Sequence, residues 1–119
     1  MPEVVTRRVY DPVGPDDGFR VLVDRLWPRG VSRERAALDL WDKDVAPSPE
    51  LRRAWSHDPG TFEGFAAAYR AELDASGAAG KLLAAVGDIP RLTLLYAARD
   101  RQVNHAVVLA AYLGGLLGS

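Results

Sequence analysis

Two stretches of this chain are apolar without alternating cleanly with polar residues: Phe19-Arg20-Val21-Leu22-Val23 and Leu92-Thr93-Leu94-Leu95-Tyr96. A strand with one face in water alternates, whereas a strand covered on both faces reads as a near-continuous apolar run, the habit of parallel sheets wrapped by helices. The rest of the chain supplies those helices. Ser32 can cap a short helix over Arg33 to Ala37, and Ser48-Pro49-Glu50 is a capping hydroxyl followed by proline and an acid at a helix start. Phe62, Phe65, Tyr69 and Leu73 recur at helical spacing after His57-Asp58-Pro59, with Asp58 or Thr61 as cap. Lys81 to Val86 and Arg101 to Leu113 read as two further helices, the last with Asp100 as its cap.

Val4 to Tyr10 and Leu38 to Trp41 are shorter strand signals, so strands and helices interleave. The predicted fold class is α/β: a three-layer sandwich with a mainly parallel short sheet and helices on both faces. The eight residues from Asp11 to Gly18 are fewer than a normal parallel crossover needs, so the first strand is expected to pair antiparallel or to lie at the sheet edge. At 119 residues the chain suffices for one domain over 1–119, which would hide roughly two-thirds of its unfolded surface.

Composition narrows the chemistry. The chain has no cysteine, which excludes thiolate nucleophiles, disulfides and cysteine-ligated metals. Fifteen Lys and Arg against sixteen Asp and Glu give a formal charge of -1, so any attraction for anions must be local. The N-terminus lacks a signal-peptide core, and the apolar run Ala106 to Leu117 is about half of the ~20 residues that a bilayer requires. A cytoplasmic address with no membrane partner is the expectation. Phosphate-loop, dinucleotide-binding and nucleophile-elbow motifs are absent.

Ligands of open α/β sheets bind beyond the carboxyl ends of the strands. That rule selects Asp24, Arg25, Trp27 and Arg29 after the second strand, Lys43, Asp44 and Ser48 after the third, and Asp100, Asn104 and His105 after the fourth. Arg25 and Arg29 offer planar forks suited to carboxylate or phosphate. Lys43 and the helix start at Ser48 could hold a phosphate. The same residues have plain structural uses: Arg25 pairing with Asp24 or Asp44, Trp27 filling core, Ser48 capping, and Asn104 tying down a loop. His57 and His105 are the only histidines, hence the side chains whose ordinary range suits proton transfer near neutrality. Together with Asp44, Asp58 or Asp100 they could form a two-histidine, one-carboxylate metal site, although no His-x-x-x-His spacing supports it.

The blocks Arg8-Val9-Tyr10-Asp11-Pro12, Asp24-Arg25-Leu26-Trp27-Pro28-Arg29-Gly30, Leu40-Trp41-Asp42-Lys43-Asp44 and Thr93-Leu94-Leu95-Tyr96-Ala97-Ala98-Arg99-Asp100, followed by Asn104-His105-Ala106, resemble the domain of unknown function 488 family in its short YeaO-like branch. The resemblance spans almost the whole chain and implies a compact cytoplasmic α/β domain without naming an activity. Other branches carry cysteines on the last strand and at the start of the last helix, where this chain has Tyr96 and Asn104. Thiol or cysteine-metal activities of those branches therefore do not carry over.

Three functions follow as expectations. The first is binding of a small phosphate- or carboxylate-bearing ligand, a nucleotide or a nucleic-acid end, through Arg25, Trp27, Arg29, Lys43, Ser48 and Asn104. His57, His105 and Asp100 would handle protons if a reaction occurs. The second is a metal-assisted phosphoester hydrolase or nuclease. The third is a non-enzymatic interaction module in which the Arg/Trp block and Arg52-Arg53 contact a protein or nucleic acid. The sequence names no cofactor and no oligomeric state.

Overall fold

In a computed structural model that describes residues 2–55 and 58–118, four parallel strands form one sheet in the order β1-β4-β2-β3. The strands are β1 (Glu3–Arg8), β2 (Phe19–Leu22), β3 (Leu40–Trp41) and β4 (Arg91–Tyr96). The helices are α1 (Arg33–Ala36), α2 (Pro49–Ala54), α3 (Phe62–Ser76), α4 (Ala78–Val86) and α5 (His105–Gly118), with one 3-10 turn at Pro59–Thr61 before α3. The two apolar runs are the two central strands. β4 is flanked by β1, in register Glu3 with Arg91, and by β2, in register Phe19 with Leu92.

β1 lies at the edge, as one of the two expectations had it, but runs parallel to β4. Its chain stops two residues earlier than expected because Asp11 N–H donates to the Arg8 carbonyl and turns it away. Residues 9–18 then return to the start of β2 as a strap with two turns and no helix, a length sufficient for a six-residue strand. Gly18 ends this strap at φ +67°, and a side chain there would collide with the Arg91 carbonyl.

Helices cover both faces very unequally. Val21, Val23, Leu92, Leu94 and Tyr96 point into the main core, built with residues of α3, α4 and α5. Leu22 and Leu95 point the other way, into a small cluster with Val9, Val31 and Ala36 of α1. Tyr10, Trp27, Leu38 and Trp41 pack against that cluster, and a buried polar network lies beside it. Arg20 and Asp17 are only 4% and 5% exposed, and they form a buried ion pair. Asp17 also accepts from Arg7 Nη1 at 2.9 Å and from Gly14 N–H at 2.9 Å, while Arg20 donates to the carbonyls of Ala36 (2.8 Å) and Ala37 (3.1 Å). Burial, the largest influence, pushes the Asp17 carboxyl up; the Gly14 N–H and the two guanidinium groups outweigh it and hold it below the usual carboxylate range.

The caps at Ser32 and Ser48 form as expected, each side chain accepting a backbone N–H; of the two alternatives for the third helix, Asp58 caps the 3-10 turn ahead of α3, and Thr61, at the start of α3 itself, makes no side-chain cap. Helix α4 begins at Ala78, three residues before the expected start, because Gly77 adopts φ +69° and closes α3 directly onto it. The last helix begins at His105 and not at Arg101. Asp100 Oδ1 spends its acceptor capacity on the N–H groups of Gln102 and Val103, which makes a turn, and Asn104 Oδ1 caps α5 through Val107 N–H at 3.0 Å. No helix among the described residues is long and apolar enough to cross a membrane.

Candidate functional site

The strand β2 delivers its chain onto the face that carries α1, whereas β4 leads into α5 on the opposite face. Adjacent parallel strands whose exits diverge in this way leave a crevice at their carboxyl ends, the topological switch point of an α/β sheet. A cavity of about 510 Å³ occupies that place. Its apolar wall consists of Ala46, Pro47, Trp55, Phe65, Ala97 and Ala98, and its charged lining of Asp24, Arg25, Arg52, Arg99, Asp100 and His105.

The aromatic part of the wall is a continuous stack. Trp55 and Phe65 stack with ring centroids 4.0 Å apart, and Phe65 continues to Tyr69 at 5.8 Å. The Tyr69 hydroxyl donates to the Val45 carbonyl and fixes the segment that leads to Ala46 and Pro47; burial pushes this phenol far above its ordinary range. The loop between β4 and α5 is tied down from several sides. Ala97 N–H donates to Asp24 Oδ2 (3.0 Å), Arg8 Nε to the Ala98 carbonyl (2.9 Å), and Arg101 makes a two-pronged contact with Asp11 at 2.8 and 2.9 Å.

At the base of the cavity Asp24 and His105 meet. His105 Nε2 lies 2.9 Å from Asp24 Oδ1 and 3.1 Å from the Val23 carbonyl. Both neighbours are acceptors, so Nε2 carries a proton, and in the neutral ring Nδ1 is the acceptor. The N–H is directed at the carbonyl, which leaves Asp24 Oδ1 sealed from solvent without a well-formed hydrogen bond. The ring stands edge-on to Tyr69 at 6.4 Å.

Arg25 spans the cavity rim with two long contacts, 3.4 Å each, to the carbonyls of Pro47 and Ala46. Arg52 and Arg99 are exposed, and among the described residues no carboxylate pairs with any of these three guanidinium groups. Asp100 faces its own loop: the N–H groups of Val103 and Gln102 hold its carboxyl below the usual range.

Of the residues selected from sequence, the structure brings Asp24, Arg25, Asp100 and His105 to one cavity and leaves Trp27, Arg29, Lys43, Asp44, Ser48 and Asn104 outside its lining. Trp27 lies across the sheet, edge-on to Trp41 at 5.3 Å, its indole N–H on the Val31 carbonyl at 2.7 Å. Arg29 is exposed beyond that turn, and its carbonyl accepts from the Tyr10 hydroxyl. Lys43 sits 4.2 Å above the Trp41 ring in a separate depression. Ser48 is not open to a phosphate, because Glu72 already occupies that helix end: Ser48 N–H donates to Oε1 at 2.9 Å and the hydroxyl to Oε2 at 2.5 Å. Asn104 is fully buried and used in capping α5 and in donating to the Asp100 carbonyl at 2.8 Å. His57 lies outside the described residues. Among the described residues no three His, Asp or Glu side chains are grouped to hold a metal ion.

The cavity also takes in Arg99 and Phe65, which the sequence does not single out as site residues, Trp55, which it offers only as core or as a base-stacking ring, and Arg52, which it places on a contact surface. Arg99 follows the same strand-end rule as Asp100. The aromatic wall had no such signal, since Trp55 and Phe65 look like core, which they also are.

Fold and cavity together define a small parallel α/β domain with an arginine-rimmed crevice and no thiol. The family model described as the inactive DUF488-N3 subclade matches residues 3–118, and the chain belongs to that subclade. It is 47% identical over 110 residues to the uncharacterized protein YeaO of Escherichia coli, covering 92% of this chain and 96% of that protein. It is 44% identical over 108 residues to the uncharacterized proteins Mb3100c of Mycobacterium bovis and Rv3073c of Mycobacterium tuberculosis, with 91% of each chain covered. No solved structure matches the chain.

Proposed function

We propose that the cavity binds a small organic anion, its phosphate or carboxylate group held by Arg25 with Arg52 and Arg99 and its apolar part against the Trp55, Phe65 and Pro47 wall. The observation that carries this reading is the convergence of three guanidinium groups, unpaired by carboxylates among the described residues, on a 510 Å³ crevice at the sheet's switch point. That volume suits a ligand of nucleotide size, and pockets of this kind combine an apolar lining with a few polar anchors. A nucleotide or a nucleic-acid end satisfies both halves of the lining. The subclade's description as inactive favours binding without turnover.

Thermal-shift measurements with phosphate, mononucleotides and short oligonucleotides test the reading. A ligand at 100 times its dissociation constant adds about 2.7 kcal/mol to the stability of the fold, a shift of several degrees at this size. Arg25→Ala should remove the shift and Arg29→Ala should preserve it. Equal shifts in wild type and Arg25→Ala would reject the cavity as the site.

A second reading rests on the exposed end of the β2 exit, where Leu26 is 66% exposed beside the exposed Arg29. Such a pair suits contact with a protein or nucleic acid. Capture of a partner that Leu26→Asp abolishes and Arg25→Ala leaves intact would favour it.

A further inference from the structure

The reading of the cavity as an anion site leaves open what the Asp24–His105 pair does there, and the charges around it bear on the ligand. Arg25, Arg52 and Arg99 contribute three positive charges, and Asp24 and Asp100 two negative ones. With neutral His105 the lining carries one net positive charge; with protonated His105 it carries two. A monoanion is balanced by the first state and a dianion by the second.

Around the imidazole, the three arginines and the start of α5 oppose a positive charge, Asp24 and Asp100 favour it, and Tyr69 from α3 is a neutral neighbour. A doubly charged ligand offsets the arginines and tips this balance toward protonation. Asp24 Oδ1 then has a use, since this sealed oxygen stands 2.9 Å from the nitrogen that already carries a proton. We propose that the cavity prefers a dianion, a terminal phosphate monoester or a sulfate, over a monoanion, and that His105 takes up a proton when the dianion binds, with Asp24 as the positioning residue. The proton enters at Nδ1, from solvent, and both ring nitrogens become donors. This inference rests on the anion-site reading and adds to it the charge of the ligand.

Sulfate and methanesulfonate separate the two, because both are tetrahedral and neither changes charge between about pH 6 and about pH 8, where an unperturbed imidazole titrates. Any pH dependence of their binding therefore belongs to the protein. Sulfate affinity should rise roughly tenfold on going from about pH 8 to about pH 6, and methanesulfonate affinity by less than about twofold. Calorimetry of wild type in buffers of different ionisation enthalpy should show net proton uptake with sulfate, a readout that needs no variant. His105→Gln, which keeps a side-chain donor for the Val23 carbonyl, should flatten the sulfate profile, and Asp24→Asn should shrink it.

Sulfate binding that needs Arg25 but shows neither pH dependence nor proton uptake would overturn the inference and leave the anion site standing. A full sulfate profile surviving in His105→Gln would overturn it too. If neither ion binds, or if Arg25→Ala binds sulfate as wild type does, the anion-site reading itself falls.

Discussion

Replacing Asp17 by alanine is the sharpest probe of how this sheet is closed on its thinly covered face. The substitution removes the acceptor of three hydrogen bonds, from Gly14 N–H, Arg7 and Arg20. Arg7 is one-third exposed at its side chain and its share is small, because water screens it. Arg20 is different: at 4% exposure its guanidinium would keep only the Ala36 and Ala37 carbonyls and no neutralising charge. Breaking one side of a buried pair costs about 3–5 kcal/mol, out of a total of about 5–15 for a domain of this kind. With an m-value of about 1–3 kcal/mol/M, the urea midpoint should drop by roughly 2 M. Adding Arg20→Met removes the stranded charge and should restore at least about half of the loss, since apolar replacements of a whole buried pair are often near neutral. A loss below about 1 kcal/mol in Asp17→Ala, or a double variant as damaged as the sum of its parts, would refute the reasoning.

Other consequences are open to the same denaturation assays. Gly18→Ala should cost about 2 kcal/mol or more, because the position combines a left-handed φ with a collision against the Arg91 carbonyl. Glu72→Ala should cost about 1–3 kcal/mol, as two hydrogen bonds at the start of α2 are lost together, and Glu72→Gln should cost less. Asn104→Ala should cost about 2 kcal/mol by removing a buried cap, with faster amide exchange confined to the first turn of α5. Acid titration should show stability falling as the pH drops below the ordinary carboxylate value of about 3.9. Asp11, Asp17 and Asp100 are all held below it in the folded state, so their contribution is complete above that value and is lost as the pH passes through the folded ones. Asp42, raised by burial, acts in the opposite direction.

Much of the architecture is written in local pattern. Ser32, Ser48 and Asp58 mark helix starts because a cap is decided by a residue and the N–H groups two or three positions on. The parallel sheet is legible because Leu92 to Tyr96 lacks a solvent-facing register. What pattern conceals are partners distant in sequence or folded against type. Arg20 sits within an apolar run and is buried all the same, because Asp17 reaches it around the Gly18 turn. Ser48 looks like an anion site until Glu72, 24 residues away, fills it. Arg25 and Arg29 are four residues apart and yet diverge, since Trp27 and the chain around it fold onto the far face of the sheet. The strand-end rule reaches the polar side of the cavity, Asp24, Arg25, Arg99, Asp100 and His105, whereas its apolar half had no rule to announce it.

The strand order has a temporal side. The hub of the sheet is β4, with β1 and β2 on either flank, and it pairs residues 3–8 with residues 91–96. On a growing chain, β1 and β2 therefore emerge long before the strand that joins them. Until then the only sheet pairing available is β2 with β3, which amounts to two residue pairs, Val21 with Leu40 and Leu22 with Trp41. Contacts so distant along the chain carry a large loop-closure cost and make folding slow. A ribosome-bound chain of this protein would hold its two earliest strands open for most of synthesis, exposed to chaperones and to one another, and the sheet would assemble in one late step when β4 arrives.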